Sequence, residues 1–80
     1  MLVPLYGFLR GDTIGLVILV HDHSTIAEVS RVLQEAASMR VAPKPRASVY
    51  FAGKLLDPEL SVADAGLSML DRVDVVQEDG

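Results

Sequence analysis

The sequence predicts an α+β domain in which one helix covers one face of a mixed β-sheet. Three observations support this prediction. Four to five short stretches are rich in strand-forming residues, a single stretch with helical periodicity lies between the second and third of them, and the 80 residues suffice for one domain only. Half of the residues are hydrophobic, so we expect residues 1–80 to fold as one unit with a thin core.

The first two strands are expected to form a β-hairpin. Residues 2–9 and 14–20 are rich in Leu, Val and Ile, and a turn that contains Gly11 and Asp12 separates them. Pro4 lacks an amide hydrogen and therefore suits a strand start or an edge position. The longest unbroken apolar run, residues 16–20, is much shorter than the roughly 20 residues that span a bilayer, so we expect no membrane segment.

A helix is predicted from residue 26 to about residue 39. Thr25 and Glu28 match a capping box, in which the Thr hydroxyl accepts a hydrogen bond from the Glu28 amide. Pro43 and Pro45 then hold the chain extended and prevent the helix from continuing. The apolar residues of this segment fall at helical spacing and form one stripe: Ile26, Val29, Leu33, Ala36 and Ala37.

The second half of the sequence predicts three more strands. They cover residues 47–52, 54–56 and 72–77, and one helical turn that Gly66 ends in a left-handed conformation precedes the last of them. Residues 78–80 are expected to fray. If the last strand lies beside the first, the two run parallel in the centre of the sheet while the helix crosses it. This is the β-grasp, or ubiquitin-like, arrangement, with a mixed sheet of four to five strands.

Composition and motifs argue against catalysis by this chain. A net charge of −4 disfavours nucleic acid as a partner. The absence of Cys excludes disulfides and thiolate sites and is typical of a reducing compartment, so we expect a cytoplasmic location. His21 and His23 could form half of a zinc site, but Asp12 or Glu28 would have to supply a third ligand. Because nucleophile, phosphate-loop and dinucleotide motifs are also absent, we predict no catalytic, cofactor-binding or metal site.

The last residues of the sequence bear on one function of ubiquitin-like proteins. Conjugated modifiers and sulfur carriers end in Gly-Gly on a flexible tail, because the terminal carboxylate must enter an activating enzyme. This sequence ends Gln77-Glu78-Asp79-Gly80 and contains no Gly-Gly. We therefore expect neither conjugation nor sulfur transfer.

Several segments match a known family in their order and spacing. They are residues 4–12, 16–20 and 24–29, the run Arg40-Val41-Ala42-Pro43, and residues 62–67 and 73–76. Together they resemble the small gamma (B) subunit of the toluene/o-xylene-type bacterial multicomponent monooxygenases, and Arg-Val-Ala-Pro is the closest match.

The resemblance implies a non-catalytic accessory subunit of an NADH-dependent aromatic monooxygenase. In that family the alpha subunit carries a di-iron centre that hydroxylates an aromatic or alkene substrate, and the gamma chain docks on it without holding iron. The expected partners are therefore the larger hydroxylase subunits, alpha and beta, and no cofactor is expected in this chain. Apolar and arginine side chains that we expect at the surface are the candidate partner contacts, because such residues are enriched in interfaces: Tyr6, Phe8, Arg40, Pro43 and Arg46.

A second interpretation stays open. Residues 62–67, together with Asp71-Arg72-Val73, are also similar to ubiquitin-like proteins in general, including those of bacterial type VII secretion systems. On this interpretation the chain is a free-standing protein-interaction module, and it should be a folded monomer on its own.

Overall fold

The computed structural model describes residues 1–78, in which five strands and one helix are present. Fraying was expected for residues 78–80, of which Asp79 and Gly80 lie outside the described residues. At Glu78 the expectation was wrong, because its amide donates to the Arg46 carbonyl at 3.0 Å and extends the pairing of β5 with β3. The elements are β1 (Leu2–Leu9), β2 (Leu16–His21), α1 (Ile26–Ala36), β3 (Ala47–Phe51), β4 (Lys54–Leu55) and β5 (Arg72–Gln77).

The five strands form one mixed sheet in the order β2-β1-β5-β3-β4. β1 and β5 run parallel in its centre, with Gly7 opposite Val73, and the other neighbouring strands are antiparallel. A parallel pair cannot be joined by a tight turn, and the helix and the β3–β4 hairpin lie in the long connection between the two strands. The predicted β-grasp fold is therefore confirmed.

The start of the helix follows the predicted capping pattern. Thr25 is the N-cap, and its hydroxyl accepts a hydrogen bond from the Glu28 amide at 3.2 Å. The amides of Ile26 and Ala27 donate to the carbonyls of Leu60 and Pro58 at 2.9 and 3.0 Å. Amides that the first turn of an isolated helix leaves unpaired are thus satisfied here by a neighbouring loop.

The helix ends at Ala36, three residues before the predicted end. The amides of Arg40 and Val41 both return to the Ala37 carbonyl at 2.9 Å, which closes the chain into a tight turn. In this turn, the Arg40 side chain binds Asp12 in the β1–β2 connection.

Four strand ends also differ from the prediction, one of them the end of β2 at His21 rather than at residue 20. β2 begins at Leu16 rather than at residue 14, since the preceding residues belong to the connection that Asp12 and Arg40 hold. β3 ends at Phe51 because Ala52 takes a positive φ of 52° in the turn to β4. β4 ends before Leu56, whose side chain turns into the core.

The core lies between the helix and one face of the sheet. Leu5, Val29, Leu33, Val73 and Val75 are all fully buried there. The predicted helical stripe is confirmed except at Ala36, which is exposed.

Gly7 lies where β1 passes beneath the helix. A Cβ at this position would lie 2.8 Å from Cδ1 of Leu33, so any larger residue would force the fully buried Leu33 side chain to move. In residues 1–78 the only helix is eleven residues long and too short to cross a membrane.

Candidate docking surface

The sheet face opposite the helix carries apolar side chains that nothing in the described chain covers. Strand side chains alternate between the two faces, so the outward residues of β1 and β2 form a continuous surface. We call this surface the open face and define it as Leu2, Pro4, Tyr6, Phe8, Val17 and Leu19. Of these, Leu2, Val17 and Leu19 keep 56%, 59% and 61% of their surface exposed.

Two aromatic rings lie stacked on the open face. The ring centroids of Tyr6 and Phe8 are 5.0 Å apart with an interplanar angle of 3°. Gly15 makes room for both rings, since a Cβ there would lie 2.6 Å from Cζ of Phe8. The local sequence therefore favours this stack. Residues 6 and 8 point to the same face, and Gly15, the residue of the strand connection that passes the rings, has no side chain to displace them.

A single ion pair borders the aromatic stack on β5. The guanidinium carbon of Arg72 lies 4.0 Å from the Phe8 ring centroid, a cation–π contact. Nη2 of the same guanidinium donates to Asp74 at 3.0 Å, so the two charges offset each other. None of the six residues of the open face is charged. Aromatic residues and arginine at the border of an uncharged apolar patch are typical of protein–protein interfaces.

Arg40, another predicted contact, is bound within the chain. Its Nε and Nη2 donate to the two carboxylate oxygens of Asp12 at 2.8 and 3.0 Å. The Arg40 hydrogen bond lowers the pKa of Asp12, and the same bond raises the pKa of Arg40. The Asp12 side chain is 2% exposed, whereas that of Arg40 is 36% exposed. Arg40 therefore ties the β1–β2 connection to the end of the helix while part of its surface stays accessible.

Pro43 and Arg46 lie in the segment that follows the helix, and the buried side chain of Gln34 holds this segment. Oε1 of Gln34 accepts hydrogen bonds from the Lys44 amide and from Nε2 of Gln77, both at 2.8 Å. Pro43 and Arg46 line surface grooves between this segment and the helix.

The five predicted contacts therefore fall on separate surfaces. Tyr6 and Phe8 belong to the open face, and Pro43 and Arg46 lie on the helix side of the molecule. Sequence reasoning missed Val17 and Leu19, the most exposed apolar residues of β2. Their position in an unbroken apolar run hid them, because such a run does not show which alternate residues face outwards.

The two histidines lie at the end of β2, beside the start of the helix. Their ring centroids are 4.9 Å apart, and Nδ1 of His23 is 3.5 Å from Asp22. Within residues 1–78, no three His, Asp or Glu side chains are grouped so that they could hold a metal ion. No buried side-chain nitrogen or oxygen atom in that part of the chain lacks a hydrogen-bond partner. What the described chain offers is an apolar surface suited to binding a protein.

Comparison with solved structures shows close likeness in fold at low sequence identity. A chain of the structure described as "Toluene 4 monooxygenase HD Complex with Inhibitor 4-Bromobenzoate" is 21% identical, with a TM-score of 0.88 over 98% of this chain and 100% of that one. Ubiquitin from Caldiarchaeum subterraneum is 14% identical, with a TM-score of 0.77 over 100% and 98%. The ubiquitin-like domain of Plasmodium falciparum Dsk2 is 15% identical, with a TM-score of 0.79 over 98% and 100%.

The sequence itself matches one protein family along almost its whole length. Among curated proteins none matches the chain. Residues 2–77 match the family described as toluene-4-monooxygenase system protein B. The order of segments along the sequence had indicated the same family, and the β-grasp fold agrees with it. The chain belongs to the toluene-4-monooxygenase system protein B (TmoB) family.

Proposed function

We propose that this chain is a non-catalytic accessory subunit of a bacterial multicomponent di-iron monooxygenase. The complex would hydroxylate aromatic hydrocarbons or related alkenes with electrons from NADH, in the cytoplasm. Family membership over residues 2–77 is the observation that carries the proposal. The likeness to a chain of a toluene 4-monooxygenase complex supports it.

In this proposal the larger alpha and beta hydroxylase subunits are the partners, and the iron belongs to alpha. Di-iron carboxylate sites draw Glu and His ligands from several helices. The described chain has one helix, so its fold suits a supporting role rather than iron binding.

We further propose that the open face docks on the iron-bearing subunit. This face is apolar and uncharged, and it carries the stacked rings of Tyr6 and Phe8. An interface there would also bury apolar surface, which an 80-residue core supplies only sparingly.

The test is assembly with the hydroxylase subunits encoded in the same host. The tagged chain should recover two larger chains in equal amounts, with about two irons per largest chain. We expect Tyr6→Ala to weaken this assembly at least about tenfold, because it removes an aromatic anchor. Arg46→Ala on the helix side is the matched control and should leave assembly nearly unchanged.

Recovery of a lone, folded, iron-free monomer would contradict the proposal. That result would support the second interpretation, a free-standing ubiquitin-like interaction module. Loss of assembly in Arg46→Ala but not in Tyr6→Ala would keep the accessory function and move the docking surface to the helix side.

A further inference from the structure

The two edges of the sheet differ in how well they are protected against pairing with another chain. β4, at one edge, is two residues long and includes Lys54. β2, at the other edge, is six residues long. Short strands and lysine side chains are common protections of an edge.

Three residues of β2, Val17, Leu19 and His21, direct their backbone groups away from the sheet. In an antiparallel pair only alternate residues exchange hydrogen bonds with the neighbouring strand. Asp22 donates to the Met1 carbonyl, and the register then places Ile18 and Val20 at bonded positions. Val17, Leu19 and His21 lie at the alternate positions, where the backbone amides and carbonyls point away from β1.

The outward groups of Val17 and Leu19 remain unpaired within residues 1–78. No hydrogen bond joins the amide or carbonyl of Val17 or Leu19 to another described residue. His21, the next outward position, differs: its amide donates to Oγ of Ser24, and its carbonyl accepts from the Ser24 amide, both at 3.0 Å. The free edge is therefore two residues long and offers two donors and two acceptors.

The sequence around this edge lacks the usual protections. Residues 13–20 contain no charged residue and no proline. The side chains of Val17 and Leu19 are also strongly exposed, on the open face beside this edge.

We propose that the β2 edge binds an extended segment of a larger hydroxylase subunit, which adds to the sheet as a sixth strand. The segment would pair with the backbone of Val17 and Leu19 and would continue the open face with uncharged, apolar side chains of its own. This inference rests on the proposed accessory function. Net charge argues against a second copy as the occupant, because each copy carries −4 and two copies repel. The proposal therefore includes Lys or Arg residues that flank the partner's segment and attract this chain.

Hydrogen–deuterium exchange of the complex, read residue by residue, tests the pairing. In the free chain the amides of Val17 and Leu19 should exchange rapidly, whereas those of Ile18 and Val20 should be protected by β1. In the assembled complex we expect the exchange of Val17 and Leu19 to slow at least about tenfold. The amides of Ile18 and Val20 serve as the internal control.

A pair of variants tests the same contact through assembly. Leu19→Pro removes the outward amide hydrogen and the Leu side chain, whereas Leu19→Ala removes only the side chain. We expect Leu19→Pro to assemble at least about tenfold more weakly than Leu19→Ala. Circular dichroism establishes whether the proline variant is folded. If it is not, the exchange measurement still tests the proposal, because it uses the chain without substitutions.

The outcomes separate this inference from the function on which it rests. If the complex assembles while Val17 and Leu19 exchange as in the free chain, strand addition is wrong and the accessory function stands. If no complex assembles, the strand addition and the accessory function are both wrong. Protection of these amides in the free chain at raised concentration, together with a dimer in solution, would identify a second copy as the occupant and overturn the proposal.

Discussion

On one face of the sheet Leu5 and Val75 are fully covered by the helix, whereas on the other face Val17 and Leu19 keep more than half of their surface exposed. The two faces carry the same kinds of side chain, so their difference lies in what covers them. Burial explains the hydrophobic residues of the first face, since it supplies most of the folding free energy. Burial does not explain the hydrophobic residues of the second face, which therefore remain available for binding.

The largest expected effect comes from truncating the same residue type on each face. Leu33→Ala should lower the free energy of unfolding by about 2–5 kcal/mol, because it leaves a cavity beneath the helix. Leu19→Ala should change it by less than about 0.5 kcal/mol, because Leu19 already meets water. Urea denaturation monitored by circular dichroism measures both values. Similar losses in the two variants would mean that the open face contributes to the folded core.

The next effect concerns the polar contact at the border of the covered face. Gln34→Met leaves the Lys44 amide without its acceptor and takes one acceptor from Gln77. We expect a loss of about 1–3 kcal/mol in the free energy of unfolding. Ser30→Ala is a suitable control, since among residues 1–78 its hydroxyl makes a single side-chain hydrogen bond, accepted from Nε2 of Gln34 at the long distance of 3.3 Å. An unchanged stability in Gln34→Met would show that water replaces these contacts without cost.

A smaller effect is expected from filling the space beneath the aromatic stack. Gly15→Ala introduces a methyl group where the Tyr6 and Phe8 rings lie, so at least one ring must turn away. The expected loss is about 0.5–1.5 kcal/mol, the usual contribution of an aromatic pair. Near-ultraviolet circular dichroism of the tyrosines should change as well. Gly11→Ala has open space around its Cβ and provides the comparison, although its φ of 95° adds backbone strain.

The smallest expected effect concerns the ion pair between Asp12 and Arg40, which joins the β1–β2 connection to the end of the helix. This effect depends on pH. Arg40 lowers the pKa of Asp12 in the folded state, so the pair stabilises the fold above the unfolded pKa of about 3.9. This stabilisation is lost as the pH falls through the lowered pKa. Wild type should therefore be more stable than Asp12→Asn at neutral pH, and the difference should vanish in acid. Thermal melts between about pH 2 and pH 7 measure it. A difference that persists in acid would assign the effect to packing.

Much of the fold could be predicted from local sequence signals. β1 and β5 have the predicted bounds, and the capping residues Thr25 and Glu28 marked the start of the helix. The end of the helix could not be predicted from local signals, and Arg40 just beyond it binds Asp12, which lies 28 residues earlier in the sequence. No glycine near residue 37 supplies a local stop signal.

The candidate surface was predictable only in part. Tyr6 and Phe8 stand out in sequence as two of four aromatic residues, and the structure places them together. Val17 and Leu19 could not be distinguished from Ile18 and Val20, because all four are apolar and only the pairing register separates them. The unpaired backbone groups of β2 could not be predicted either, because they depend on the position of the strand at the edge of the sheet.

One backbone feature beside the open face has an evolutionary consequence. Leu70 has a φ of 62°, a conformation that bulky residues rarely adopt, and the residue is 55% exposed. Its amide donates to the Pro4 carbonyl at 2.6 Å, so the strained residue lies next to β1. For an isolated chain a glycine or asparagine at this position would remove the strain. Selection for stability alone would therefore favour such a replacement, so retention of leucine here in homologous chains would call for a reason other than the stability of the isolated chain.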